Sequence, residues 1–302
     1  MVKERKRKGG SLRESRGDKI FHTSVLIFMI LFALIILYPL WFVVIASVSN
    51  PDSILNGEVW LWPDVVDFSG YKKIFNDPQI WTGYRNTIIY TTLGTALNIL
   101  LTIPAGYALS RPNLPFRKFF MWFFIVTMFF GGGLIPYYYL ISGLGLINTM
   151  WVLIIPQGLS VWNMFMVKAF YESTVSQELI EAAAVDGANQ FRTFLSVVVP
   201  ISKPIIAVMI LFYAVGRWNS YFDAMVFIRD ESLYPLQIVL RNILIISDNV
   251  SGGITGEDIY QRLRLANQIK YGVIIVSSLP IIIIYPFIQR FFKEGFLVGS
   301  FK

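Results

Sequence analysis

The sequence predicts an all-α, polytopic membrane protein with six transmembrane helices and one polar, helical loop on the cytoplasmic side. Three observations carry this. The 302 residues are 55% hydrophobic and only 15% charged, with a mean hydropathy of +0.58, whereas a soluble domain is about 25% charged. Six apolar stretches approach or exceed the roughly 20 residues that a helix needs to cross a hydrocarbon core. The positive charges are biased to one side of that pattern. A β-barrel is excluded, because the apolar runs are continuous rather than alternating.

The chain opens on a basic tail, residues 1–23, with eight Lys and Arg in its first 19 positions. The tail has the charge of a signal-peptide n-region. The apolar run behind it is too long for an h-region and shows no small-residue cleavage site. It therefore reads as a cytoplasmic tail before a signal anchor, not as a nucleic-acid arm. His22 is the single histidine and there is no cysteine, so no thiolate or multi-histidine metal site is expected.

Residues 24–302 form the transmembrane domain. Spans are expected over about 24–46, 86–109, 119–141, 150–170, 205–228 and 271–289. The fourth is shorter and more polar, and its Lys168 lies where it can snorkel from the helix end. Prolines and glycines inside the spans, Gly131 to Gly133 among them, are ordinary in membrane helices, where neighbours re-satisfy freed backbone groups.

Six spans put both termini on one side, and the loops say which. With the N-terminus inside, 17 of the 26 Lys and Arg are cytoplasmic. That is the positive-inside bias, and it predicts cytoplasmic N- and C-termini.

The same orientation places residues 176–204 in the cytoplasm. "SQELIEAAAVDG" reads as a short helix, with Ser176 as N-cap and good helix formers behind it. Gly187 suits the stop. A second helix is expected from Asn189 to Pro200, which should break it. Small residues at Ala182, Ala183 and Gly187 would let another surface approach the backbone, with Glu181 and Asp186 orienting it. Physically this is either a docking knob for a soluble partner or an amphipathic connector on the membrane surface.

"EAAAVDGANQFRTFLSVVVPISKP" resembles the EAA loop of ABC importer permeases. In that pattern E-A-A is followed after three residues by G, then after nine by hydrophobic-x-hydrophobic-P. The positions here are Glu181, Ala182, Ala183, Gly187, Val197, Val199 and Pro200. D-G-A at Asp186–Ala188 and the second proline, Pro204, resemble the carbohydrate-uptake form of the loop. "RNTIIYT", "PAGYALSR", "GGGLIPYYYLISGLGLINTMWVLIIP", "SVWNMFMVKAFY" and "FFKEGFLVGSFK" resemble other parts of the family. "FYAVGRWNSYFDAMVFIRDESLYPLQIVLRNIL" is similar to the subgroup moving complex oligosaccharides, uronate-containing ones among them.

The resemblance implies the type I ABC importer permease fold, in a bacterial inner or plasma membrane. It implies a heterodimer with a second, homologous permease and an external sugar-binding lipoprotein that delivers oligosaccharide. Two cytoplasmic ATPase subunits would dock on the EAA loops, through Glu181, Ala182, Ala183, Asp186, Gly187, Ala188 and Pro200. This chain has no G-x-x-x-x-G-K-[ST] loop, so it is expected to be no enzyme and to hold no cofactor. ATP and Mg would sit on the partner ATPase.

Arg217 is the charge set deep in a span, and intramembrane ionisable groups usually face a cavity or a partner. Tyr213, Arg217 and Tyr221 are spaced i, i+4, i+8, one helix stripe, with Trp218 and Asn219 beside it. Ser160 and Asn163 share a face of the fourth span. The resemblance puts these two spans on the substrate path. An aromatic and amide lining suits sugars, and a guanidinium suits a carboxylate. Arg217 could equally pair with the other permease or bond backbone carbonyls. Asp223 is expected to be solvated or to face the binding protein. The outer loop 229–270 is expected to contact the binding protein, with "SDNVSGGITGED" as its flexible part.

Three rivals are weaker. A secondary transporter would want ionisable residues in several spans and internal repeats. A membrane enzyme would want a catalytic constellation. An ABC permease for phosphate or polyamine would not explain the D-G-A loop and the aromatic–amide spans.

Overall fold

The computed structural model describes residues 15–249, 264, 269–283 and 286. Those residues are mainly helical. Their one β contact is an isolated bridge between Ser49 and Val66.

Helix α1 (Arg16–Ser47) begins inside the expected tail. Ser15 caps it through a capping box with Asp18, which satisfies backbone donors that a helix start leaves open. The helix is exposed along most of its length, touches the chain through Trp41, whose indole N–H donates to Leu61 O at 3.1 Å, and Phe42 against Tyr271, and is buried at Ile45, Ala46 and Ser47 in its last turn. Two short helices follow, α2 (Pro51–Leu55) and α3 (Ser69–Asn76).

Helix α4 (Pro78–Ser110) is the spine. Asp77 caps it through the Gln79 N–H at 2.8 Å, and Pro78 sits in its first turn, where no N–H is needed. Its 33 residues rise about 50 Å, ample for a bilayer. Small residues let neighbours come close. A Cβ on Gly106 would lie 2.6 Å from Val167, and one on Gly83 would lie 3.0 Å from the Leu236 backbone.

The third expected span, 119–141, is not one helix. Helices α5 (Arg117–Phe129) and α6 (Leu134–Gly143) meet at 114°. The three glycines between them supply no side chain to pack, and Gly133 takes a φ of +79°, which glycine adopts freely.

The fourth, 150–170, is also broken. A 3₁₀ turn (Met150–Leu153) leads into a non-helical stretch, and α7 (Val161–Thr174) is only 14 residues long. That is about 21 Å of helix, short of the roughly 30 Å core.

The loop comprises α8 (Gln177–Val185), α9 (Gln190–Thr193), a π-helical turn (Phe194–Val198) and α10 (Val199–Ile201). Pro200 does not end the helix, contrary to expectation. The wider π turn precedes it, with the Val199 N–H bonding back to Phe194 O, and this register carries the chain past the missing N–H. The break falls at buried Ser202, where the axis turns by 79° into α11 (Lys203–Trp218).

The fifth span, expected over 205–228, stops at Trp218 and resumes as α12 (Phe222–Phe227). Asn219 donates its side-chain amide to Val215 O at 2.9 Å, and the Ser220 N–H tightens onto Arg217 O at 3.1 Å. Such polar residues compete with the helix for its own carbonyls.

Part of the expected outer loop is in fact helical. Helix α13 (Leu236–Asn249) packs on α4. Asn86 donates to Ser232 O and Tyr234 O at 2.7 and 3.0 Å, and the Leu236 N–H reaches Thr87 Oγ1 at 2.8 Å. The flexible part expected over 247–258 lies outside the described residues beyond Asn249. So do the start of the basic tail and the C-terminal "FFKEGFLVGSFK". The last described helix is α14 (Ile269–Ile283).

By length and composition α1 and α4 each suffice to cross a membrane. Among the described residues the count reaches four if α5–α6 and Gln190–Trp218 are taken as bent spans.

Candidate functional site

Two regions hold the residues that the sequence marks out. The first is the loop. Ser176 Oγ accepts the Leu179 N–H at 3.4 Å and starts α8. At the other end Ala188 N–H reaches Ala183 O at 2.9 Å, and Gly187 N–H reaches Ala184 O at 3.0 Å. With Gly187 at φ +79°, this is a Schellman close. Asn189 then caps α9 through the Arg192 N–H at 2.8 Å. Two helices, each with its own stop and start, make a rigid knob.

The knob has two faces. Glu181, Ala182, Asp186 and Gly187 are exposed, Ala188 is half-buried, and Pro200 is exposed further on. Val185 is 88% exposed and Phe191 71%. Ala183, expected on the docking side, turns inward and is buried. Glu181 accepts from the Gln177 amide one turn back, at 3.2 Å. The inner face is continuous with the bundle. Leu179, Ile180 and Phe194 pack on a cluster of Ile103 from α4, Val167 and Tyr171 from α7, and Met209 and Tyr213 from α11. One apolar body therefore runs from the loop to mid-helix.

The second region lies at the far end of that body. Tyr213 is buried, and its hydroxyl shares a 2.7 Å hydrogen bond with Thr102 Oγ1 and accepts the Ser160 N–H at 3.2 Å. Ser160 is the N-cap of α7, accepting the N–H of buried Asn163 at 3.4 Å. The structure thus brings Ser160, Asn163 and Tyr213 together, where α4, α7 and α11 meet.

Arg217 sits one turn further on and makes four hydrogen bonds (Nε–H to Asn98 Oδ1 at 2.7 Å, Nη1 to Leu153 O at 2.5 Å, Nη2 to Ile154 O at 3.1 Å and to Gln157 O at 3.0 Å). Asn98 completes the set by donating to Gln157 O at 2.6 Å. These carbonyls belong to the non-helical stretch before α7. Non-helical backbone at membrane depth must be satisfied within the protein, and Arg217 does that here. The guanidinium reaches them by lying against Gly94, where a Cβ would be 2.4 Å from Nε and 2.5 Å from Cζ.

Three expectations for this region change. Tyr221 leaves the Tyr213–Arg217 stripe, because the helix ends between them. Asp223 is not simply solvated. The break folds it back so that it accepts from the Gln157 amide, and it lines a small polar cavity with Arg217, Thr87, Tyr90 and Ser220. Trp218 is buried and donates its indole N–H to Ser277 O on α14 at 3.1 Å. Asn219 and Tyr221 are exposed in a separate groove between α11, α13 and α14, beside Gln237 and Arg241.

Sequence reasoning missed Gly94, Asn98, Gln157, Gln237 and Arg241. A Gly and an Asn at i, i+4 on α4 were a usable signal, since both fall on one helix face. The carbonyl acceptors carry no sequence signal at all.

No protein-family model matches the chain. Among known proteins, LplC of Bacillus subtilis strain 168 is 31% identical over 292 residues, covering 97% of this chain and 98% of that protein. The polygalacturonan/rhamnogalacturonan transport system permease protein YtcP of the same strain is 33% identical over 285 residues, covering 94% and 99%. A chain from the crystal structure of a bacterial ABC transporter involved in the import of the acidic polysaccharide alginate matches with a TM-score of 0.84 at 32% identity. It covers 93% of this chain and 100% of that one.

Proposed function

The chain belongs to the sugar-importing ABC transporter permeases, and from that premise we propose how it works and what it carries. It is an oligosaccharide-import subunit and not an enzyme. We propose that its substrate is an acidic oligosaccharide. The support is that YtcP is named for polygalacturonan, a uronic-acid polymer, and that the alginate importer is named for an acidic polysaccharide.

In this reading the chain crosses the membrane six times, with both termini in the cytoplasm. The crossings combine the long α1 and α4 with broken or short elements that neighbouring helices complete. A second permease forms the other half of the path. A sugar-binding lipoprotein delivers from outside. Two ATPase subunits hold ATP and Mg in the cytoplasm, and one of them receives the α8–α9 knob of this chain.

The observation that carries the coupling role is the two-faced loop. Its outer face offers Val185 and Phe191, with Glu181 and Asp186 as orienting charges. Its inner face is part of the apolar body that ends at Tyr213. Packed cores move as units rather than deforming gradually. A displacement of the knob when the ATPases close would therefore tilt α7 and α11 together. The Tyr213–Thr102–Ser160 contact joins three helices and is the natural place for the path to open and shut, with Asn163 beside it. Arg217 and Trp218 serve as framework around it, and Asn219 and Tyr221 line the open side. ATP and sugar drive the cycle by binding the two states differently.

The test uses the complex in lipid nanodiscs with its permease partner, ATPase and binding protein. Hydrolysis is measured with the binding protein loaded with tetragalacturonate or with a neutral oligosaccharide of equal length. Stimulation by the uronate supports the acidic-substrate reading. Stimulation by the neutral sugar alone leaves an oligosaccharide importer and removes the acidic assignment.

A further inference from the structure

With Arg217 spent on carbonyls, a cation for a carboxylate must come from elsewhere, and the groove between α11, α13 and α14 holds Arg241, which pairs with no acidic group among the described residues. We propose that Arg241, with Gln237 one turn before it, forms a uronate-binding subsite at the outer mouth of this subunit. The proposal rests on the acidic-oligosaccharide reading and names the residues that would read the acid.

The groove measures about 600 Å³, within the usual range of roughly 300–1,000 Å³ for small-molecule sites. Gln237 and Arg241 are i, i+4 on α13, so their side chains lie over one face. Asn219 and Tyr221 enter from the broken end of α11, and Ser277 and Ser278 from α14. Among the described residues no carboxylate lines the groove and no acidic group pairs with Arg241. That contrasts with Arg117 and Arg264, which reach Glu172 and Asp52 at 2.6 and 3.0 Å.

The remaining lining fits a sugar. Tyr221 and Ile282 are exposed and Ile274 and Ile281 half-buried, a surface for the C–H face of a pyranose. Asn219 spends one amide N–H on Val215 O and keeps its carbonyl oxygen for a hydroxyl. Ser277 and Ser278 donate to Ile274 O and remain acceptors. A guanidinium flanked by an amide can grip a carboxylate bidentately and bond the neighbouring hydroxyl. Under the proposed orientation this groove lies in the outer half of the membrane, ahead of the Tyr213 contact.

A phospholipid phosphate shares the anionic chemistry, so the test separates the two sources. The whole complex is placed in liposomes of phosphatidylcholine alone, or with phosphatidylglycerol added. Initial uptake of tetragalacturonate and of its carboxyl-reduced, neutral counterpart is measured for the wild type, Arg241→Gln and Arg241→Lys. Complex assembly is checked by gel filtration.

Arg241→Gln should lower uronate uptake by about tenfold, the size expected for losing one charge-assisted pair. Uptake of the neutral sugar should stay within about twofold, and Arg241→Lys should recover part of the loss because it keeps the charge without the fork. Equal losses for both sugars, or no loss, overturn the subsite. An effect seen only with phosphatidylglycerol assigns Arg241 to lipid and overturns it as well. A wild type that imports the neutral sugar but no uronate overturns the acidic-substrate reading and the subsite together. Uronate uptake that is normal in both variants overturns the subsite alone.

Discussion

Replacing Gly94 by Ala should destabilise the protein through Arg217 rather than through α4. Alanine is a better helix former than glycine by about 1 kcal/mol, so in isolation the change would stabilise α4. The added Cβ, however, would sit 2.4–2.5 Å from Nε, Cδ and Cζ of Arg217. Normal contact needs about 3.5 Å or more, so the guanidinium must retreat by about 1 Å. Its bonds to Asn98 at 2.7 Å and Leu153 O at 2.5 Å would then pass the distance at which a hydrogen bond counts. Two bonds from a charged donor are worth about 1.5–3 kcal/mol each. Set against the helix gain, the net loss is about 2–5 kcal/mol. At about 2–4 °C per kcal/mol for a chain of this order, the Tm of the detergent-purified protein should fall by roughly 4 °C at the least. A double-mutant cycle isolates the cause. In an Arg217→Ala background, Gly94→Ala should cost almost nothing or stabilise. An equal cost in both backgrounds refutes the argument that Gly94 exists to admit the guanidinium.

Three further outcomes follow from the same contacts. Gly187→Ala meets no neighbouring atom but forces an L-residue to φ +79°, costing about 1–2 kcal/mol. It should lower the ratio of sugar-stimulated to basal ATP hydrolysis, with Gly187→Asn recovering part of it. Glu181→Lys reverses an exposed charge on the knob and should weaken assembly with the ATPase or uncouple hydrolysis from uptake. Normal transport and hydrolysis in this variant would remove Glu181 from docking. Tyr213→Phe deletes the partner of Thr102 and the acceptor of the Ser160 N–H. It should cost about 1–3 kcal/mol, read as a lower Tm, and Thr102→Val should cost less because it leaves the Ser160 bond in place.

The loop was the most legible part of the molecule. Its signals are local: Ser176 and Asn189 cap their own helices, and Gly187 sits where a left-handed residue is required. Each element is decided within four or five residues, so sequence alone reaches it. The spans were less legible, because a hydropathy window registers apolar length and not continuity. Gly131 to Gly133 read as ordinary span glycines, yet they mark the bend before α6. Asn219 and Ser220 gave a faint cue to the break after α11, and nothing in "NTMWVLIIPQGLS" announces that its carbonyls will be held by a residue 60 positions later. Arg217 illustrates the limit. Its identity and depth were plain, yet its role depends on where the backbone of another segment passes. Pro200 shows the reverse error, a strong breaker overridden by one π turn.

In the proposed mechanism the α8–α9 knob is the surface through which an ATPase moves this subunit. The chain has no cysteine, so Val185→Cys creates a unique thiol at a position of the knob that is 88% exposed. The most direct measurement is crosslinking of that thiol in the assembled complex with a short maleimide–succinimide reagent, followed by identification of the joined chain. Val66→Cys, also exposed (57%) but on the proposed outer side, serves as the control. The account predicts that Val185→Cys joins to the ATPase subunit, with a yield that changes when ATP is added, and that Val66→Cys does not. Absence of ATPase crosslinks from position 185 in a complex that still hydrolyses ATP, or equal yield from both positions, would contradict it.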